Sequence, residues 1–187
     1  MVSIRLSTFR KYYPMKKIYI LPIALLFSNL LFAQQKDYSK DVQSTDAIIT
    51  ALYEVISGEA GQTRDWDRFK NLFTPDARLI PTSKNKDAKI SYASMTPADY
   101  VQMFESRIAT GFYERELNRL TDAYGTIVHV FSTYETRESK DGPVTNRGIN
   151  SIQLLKTHDR YYIMNIFWCG ENTGFLLPDH YMKGRIE

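Results

Sequence analysis

Apolar residues recur at helical spacing at Ile48, Ile49, Leu52, Tyr53 and Ile56, behind an Asp46 that can cap a helix and ahead of Gly58, which can end it. A glycine-containing break over 59–64 separates this stripe from a shorter one of Trp66, Phe69, Leu72 and Phe73, capped by Asp65 and stopped at Thr74-Pro75. Residues 77–81 then alternate as a short strand, 84–89 read as a charged turn, and 90–93 as a second strand. Thr96-Pro97-Ala98-Asp99 is a helix start with proline in the first turn; Tyr100, Met103, Phe104 and Ile108 form its buried stripe and Gly111 closes it. From residue 112 the period changes. Four β-branched and aromatic runs, 112–122, 127–138, 144–156 and 161–169, are separated by turn chemistry and predict successive hairpins. Helices first, a strand pair, a helix, then a long antiparallel meander predict an α+β domain with a curved sheet packed on its helices.

The N-terminus follows a different pattern. Arg5, Arg10, Lys11, Lys16 and Lys17 precede an uncharged run from Ile18 to Phe32 that ends in Ala33 and Gln34. A basic segment, a short apolar core and a small residue before polar chain predict a secretory signal peptide over 1–33, cleaved after Ala33. The core contains Pro22 and Asn29 and falls short of the ~20 apolar residues of a membrane span. Met15-Lys16-Lys17 reads as an alternative start, which would make 1–14 an over-extension. The expectation is an exported protein, periplasmic or secreted, with a polar lead-in over 34–45, one domain over 46–187 and no membrane association after cleavage.

Composition narrows the function classes. At 43% apolar and 24% charged residues the 187-residue chain is ordinary globular material. Its single cysteine, Cys169, excludes a disulfide scaffold and a multi-cysteine zinc site, and reads as a structural thiol. The formal charge of +3 hints at nucleic acid until the leader is set aside. All five basic residues before Gln34 lie there and no acids do, so 19 Lys and Arg remain against 21 Asp and Glu, a net −2. Nucleic-acid binding is therefore not expected, and no glycine-rich phosphate loop or nucleophile elbow occurs.

Asp65-Trp66-Asp67-Arg68-Phe69, Phe73-Thr74-Pro75-Asp76-Ala77 and the last three long strands carry a resemblance. Val128-His129-Val130-Phe131-Ser132-Thr133-Tyr134-Glu135, Arg147-Gly148-Ile149-Asn150-Ser151-Ile152-Gln153-Leu154 and Arg160-Tyr161-Tyr162-Ile163-Met164-Asn165-Ile166-Phe167-Trp168 are its main segments. Over roughly 46–171 the chain resembles the nuclear transport factor 2-like (SnoaL-like) superfamily, in particular an exported bacterial branch of it. The resemblance implies a cone of α+β structure. It also implies a spread of functions, from ketosteroid isomerase-like and polyketide cyclase-like enzymes with an acid or base in the cone to transport and binding proteins without catalysis. None of the catalytic motifs of those enzymes matches here residue by residue.

Hairpin registers estimate which side chains share a face. Centring the turns on Tyr124-Gly125, on Lys140-Asp141 and on residues 157–160 groups Glu114, Glu116, Asn118, His129, Phe131, Thr133, Glu135, Asn150, Ile152, Ile163, Asn165 and Phe167. Val128, Val130, Ser132, Tyr134, Met164, Ile166 and Trp168 fall on the other face, and a bulge would invert part of the assignment. The first face has the composition of a small-molecule pocket. On it Glu114 lies opposite Glu135, a like-charge pair that needs a proton or a cation between its members.

His129, whose imidazole suits proton transfer near neutral pH, and Glu116 are the candidate acid and base. Glu114, Phe131, Glu135, Asn150, Asn165 and Trp66 are candidate ligand contacts. Each has a plain alternative: His129 as a satisfied core or surface histidine, the glutamates as salt bridges to Arg115, Arg119 or Arg147, and Trp66 as core. Strand spacing alone makes His129 with the glutamates a poor metal site, and no metal or cofactor is expected. His158 and His180 fall in a turn and in the tail. The expected function is an exported protein that binds a small apolar or amphipathic molecule in a mostly apolar pocket. The alternatives are a small isomerase-, cyclase- or dehydratase-type enzyme with a His or Glu acid/base, and a non-catalytic interaction domain. A homodimer through the Tyr134, Met164, Ile166 and Trp168 face is expected.

Overall fold

A computed structural model describes residues 12, 36–106 and 110–182. Apart from Tyr12, the signal peptide expected over 1–33 lies outside the described residues, as do its cleavage point and Ile108 of the third helix. The chain divides into two units, 1–36 and 37–187, and the folded domain is the second.

Three helices face a six-stranded mixed sheet, giving an open, curved α+β cone. Helix α1 spans Thr45–Ile56, α2 Trp66–Asn71 and α3 Pro97–Glu105. The strands are β1 Phe73–Lys84, β2 Ile90–Tyr92, β3 Tyr113–Tyr124, β4 Ile127–Arg137, β5 Val144–Lys156 and β6 Tyr161–Gly170, in the spatial order β2-β1-β6-β5-β4-β3. β1 runs parallel to β6; every other neighbouring pair is antiparallel.

Local chemistry accounts for the helix ends. Ser44, not Asp46, caps α1 by accepting the Ala47 N–H at 3.0 Å. Asp46 lies inside the first turn of α1, and its carboxylate pairs with Arg119 at 2.5 Å. Asp65 caps α2, and Thr96 with Asp99 closes a full capping box on α3, both at the expected positions. Part of the expected lead-in is ordered: Ser39–Val42 form a 3-10 turn, Val42 is buried, and Asp41 binds Arg68 at 2.8 Å. β1 is longer than its sequence pattern and runs through Pro75.

The sheet registers differ from those the turns predict, for four local reasons. The first hairpin turns on Gly125-Thr126, where Gly125 at φ 59° supplies the left-handed corner of a two-residue loop. Leu117 is an extra residue in β3 between Glu116↔Tyr134 and Asn118↔Thr133. In β5 the expected pairing holds at Arg137↔Val144 and then shifts by one at Thr145, giving Thr136↔Asn146. In β6 it holds at Leu154↔Ile163 and shifts at Met164, giving Gln153↔Asn165. A one-residue shift exchanges the faces of everything beyond it. His129, Phe131, Thr133, Glu135, Asn118, Asn165 and Phe167 therefore lie on the outer face. Val128, Val130, Ser132, Tyr134, Ile166 and Trp168 take their place on the helix-covered side. Glu114 pairs with Thr136, not Glu135.

The core lies between this inner face and the helices. Ile48, Ile49, Phe69, Leu72, Val130, Ile152 and Ile163 are fully enclosed there.

Candidate functional site

The space between the inner face and the helices is not completely filled. A cavity of about 410 Å³ opens between α1, α2, α3 and the strands. Leu52, Ile56, Phe69, Leu79, Met103 and Ile166 form its aliphatic and aromatic floor, and Tyr100, Phe104, Phe112 and Trp168 add ring faces. The aromatic wall is continuous: Phe69 stacks on Tyr100 with centroids 5.4 Å apart, and Phe104 meets Phe112 edge to face at 5.3 Å. Against these stands one polar cluster of Glu114, Tyr134, Thr136, Asn146, Asn150 and Asn172. A mostly apolar hollow with a few converging polar groups is the usual anatomy of a small-molecule site.

Glu114 sets the electrostatics. Burial pushes its carboxyl up to about 7, and the Asn150 hydrogen bond at 3.2 Å offsets only part of that. Among the described residues no cation pairs with it. Tyr134 is raised by burial and by the nearby Glu114 carboxylate, and its hydroxyl has no hydrogen-bond partner among the described residues. Gly148 makes room for that ring: a Cβ there would lie 2.5 Å from Tyr134 Oη.

Behind the cluster, Asn150 also donates to Tyr53 Oη at 3.1 Å, and Tyr53 is 2.7 Å from Ser132 Oγ. Ser132 donates to Glu116 at 2.5 Å, and Glu116 is held by Arg119 through two bonds.

The sequence candidates separate into three places. Glu114 and Asn150 meet in the cavity. Glu116 points to the helix side but is engaged by Arg119 and Ser132, and Trp66 stands behind the cavity wall, edge to face with Phe69 and Phe104. Trp66 Nε1 is buried with no partner among the described residues.

The others are on the outer face. His129 Nε2 lies 2.9 Å from Ser151 Oγ, across the sheet from Glu114, so the two cannot share a substrate. Phe131 packs on Tyr181 at 5.2 Å. Glu135 is buried, but Arg137 and Arg115 hold its carboxyl below the usual range although burial alone would raise it. Asn165 sits opposite Gln153. Cys169 Sγ lies 3.2 Å from Thr173 Oγ1. Among the described residues no cluster of three His, Cys, Asp or Glu side chains is placed to hold a metal ion.

Sequence reasoning missed Tyr134, Tyr53, Ser132 and Trp168 as site residues. The mid-strand Gly148 was the available signal for Tyr134.

A protein from Novosphingobium aromaticivorans, provisionally described as an aromatic ring hydroxylase, superposes with a TM-score of 0.50 at 15% identity, over 71% of this chain and 87% of its own. The domain has the nuclear transport factor 2-like fold. An NTF-2-like protein of unknown function from Silicibacter pomeroyi matches with a TM-score of 0.45 at 12% identity, over 67% of this chain and 91% of its own. A Nostoc punctiforme protein of unknown function with a cystatin-like fold matches at 0.47 and 13%, over 65% and 86%. No family model matches the chain, and no curated protein does. In this fold the cavity occupies the inside of the cone, between sheet and helices, and the Glu114 cluster lines its β3–β5 wall.

Proposed function

We propose that the cavity binds a small, mostly apolar ring-bearing molecule and that Glu114 exchanges a proton with it, as the acid or base of an isomerase-, cyclase- or dehydratase-type reaction. The observation that carries this reading is a carboxyl without a counter-ion in an aromatic hollow, titrating at about 7. A group poised there is available in both protonation states near neutral pH, which is what proton transfer requires. The Tyr134 hydroxyl is the companion donor to a ligand oxygen that gains charge as the proton moves. In this reading neither His129 nor Glu116 is the group that exchanges the proton. The basic and apolar leader supports a site of action outside the cytoplasm.

The test is binding of 2-naphthol, a fluorescent apolar ring, between pH 5 and 9, with the Glu114 carboxyl followed by carbon NMR. The expected result is a carboxyl midpoint near 7, an affinity that changes across the same interval, and a flat profile in Glu114→Gln. A midpoint near 4, or an affinity indifferent to both pH and the substitution, would overturn it.

A further inference from the structure

The side chains behind the cavity form a chain in which each hydroxyl has one proton to give, and that fixes the direction of every bond. Arg119 has only donors; it forks onto Glu116 at 2.9 and 2.6 Å and reaches Asp46 at 2.5 Å. Glu116 is therefore an acceptor, and Ser132 gives its hydroxyl proton to Oε1. Ser132 Oγ then has only lone pairs to offer Tyr53, so the phenol donates across the 2.7 Å contact. Having donated, Tyr53 Oη accepts, and its partner at 3.1 Å is Asn150 Nδ2. A reversed amide would set two acceptors against each other in a buried place. The second Nδ2 proton goes to Glu114 Oε1 at 3.2 Å. Two acceptor atoms are left without a partner among the described residues, Asn150 Oδ1 and Glu114 Oε2. Neither is sealed in the protein, and both residues line the cavity.

We propose that Arg119 and Glu116, acting through Ser132 and Tyr53, are positioning residues that lock the Asn150 amide in one orientation, so that Glu114 Oε2 is the oxygen that exchanges a proton and Asn150 Oδ1 is a fixed acceptor beside it. The proton a ligand gives up is taken on Oε2 and returned from it, while Oε1 stays occupied by the amide. A fixed acceptor next to that oxygen selects a molecule with an O–H or N–H donor, such as a phenol or enol, over an ether of the same shape. This rests on the reading of Glu114 as the proton-exchanging group.

The experiment compares wild type, Tyr53→Phe and Glu116→Gln, with Ser132→Ala as the substitute should either fail to fold by circular dichroism. The ligand-free protein is read first: the Asn150 side-chain amide protons should exchange slowly with water in wild type and at least about tenfold faster in each variant. Binding of 2-naphthol and its methyl ether is read second. Wild type should prefer the naphthol by about tenfold, the worth of one hydrogen bond, and the variants should bring the ratio within about twofold with the ether's affinity unchanged. Fast amide exchange in wild type, or a preference that survives the substitutions, overturns the proposal. Slow exchange lost in the variants, with no Glu114 titration near 7 and neither probe bound, supports the lock and overturns the role assigned to Glu114 instead.

Discussion

Glu114 couples the site to stability. Unfolded, it ionises at the ordinary 4.5; folded, at about 7, because burial disfavours its charge. The folded chain thus holds the proton more tightly. Its contribution is complete below about 4.5 and is lost as pH rises through about 7, by roughly 3 kcal/mol at about 1.4 kcal/mol per pKa unit. Chemical denaturation at pH 5 and pH 8 should show this loss in wild type and its absence in Glu114→Gln, the difference between the two isolating it from Glu135, whose lowered carboxyl works in the opposite sense at acid pH. A second expectation concerns Gly148. A Cβ there would meet Tyr134 Oη at 2.5 Å and the Cys169 carbonyl on the neighbouring strand. Gly148→Ala should lower the unfolding free energy by about 1–3 kcal/mol. Adding Tyr134→Phe should recover only part of that, since the backbone carbonyl is untouched.

At the scale of elements, much was written in the sequence. The caps at Asp65 and Thr96 and the order of helices and strands follow from local chemistry, whereas the first hairpin turns on Gly125-Thr126, one residue beyond the Tyr124-Gly125 centre the sequence suggests. Glu114 and Asn150 were placed on one face, and they do share one, because the one-residue shifts at Leu117 and Thr145 cancel between them. The faces of β4 and of the second half of β6 were not legible, because the bulges at Leu117, Thr145 and Met164 have no marker in residue type: none is a glycine, and each depends on how the sheet curves. His129 was misplaced by that one-residue step alone.

The bulge at Thr145 can be tested directly. Deleting it would remove only the unpaired residue: Arg137↔Val144 and Thr136↔Asn146 become successive pairs of a regular ladder, and Glu135 and His129 keep their outward facing. Chemical denaturation of the deletion variant should therefore remain cooperative. Thr145→Ala, which keeps the residue count and forfeits the hydroxyl's bonds to Thr136, should cost about 1 kcal/mol.

At the scale of the whole molecule, the unfilled cone is a reserve of stability left unused. A hollow of about 410 Å³ between well-packed layers forgoes dispersion and burial that a larger side chain would recover. Met103, on α3 at the cavity wall, is the position from which to fill it. Met103→Trp should raise the thermal midpoint by a few degrees, measured by calorimetry, and abolish 2-naphthol binding. A variant that gained stability and still bound the probe would place the binding site elsewhere on the molecule.

The parallel pairing of β1 with β6 also dictates a sequence in time. Phe73 pairs with Ile163, ninety positions further along, and among the described residues β1's other partners are short, the three-residue β2 and a single bridge from Leu79 to Met95. As the chain is made N-terminus first, the aromatic helices and β1 wait with their apolar faces open until nearly the whole domain exists. β3, β4 and β5 can zip as hairpins beforehand, but the cone closes last and all at once. A chain halted or clipped before Tyr161 would present an unpaired strand edge beside exposed Phe69 and Phe73. Such a chain is a substrate for chaperones and proteases, with no half-size domain for it to settle into.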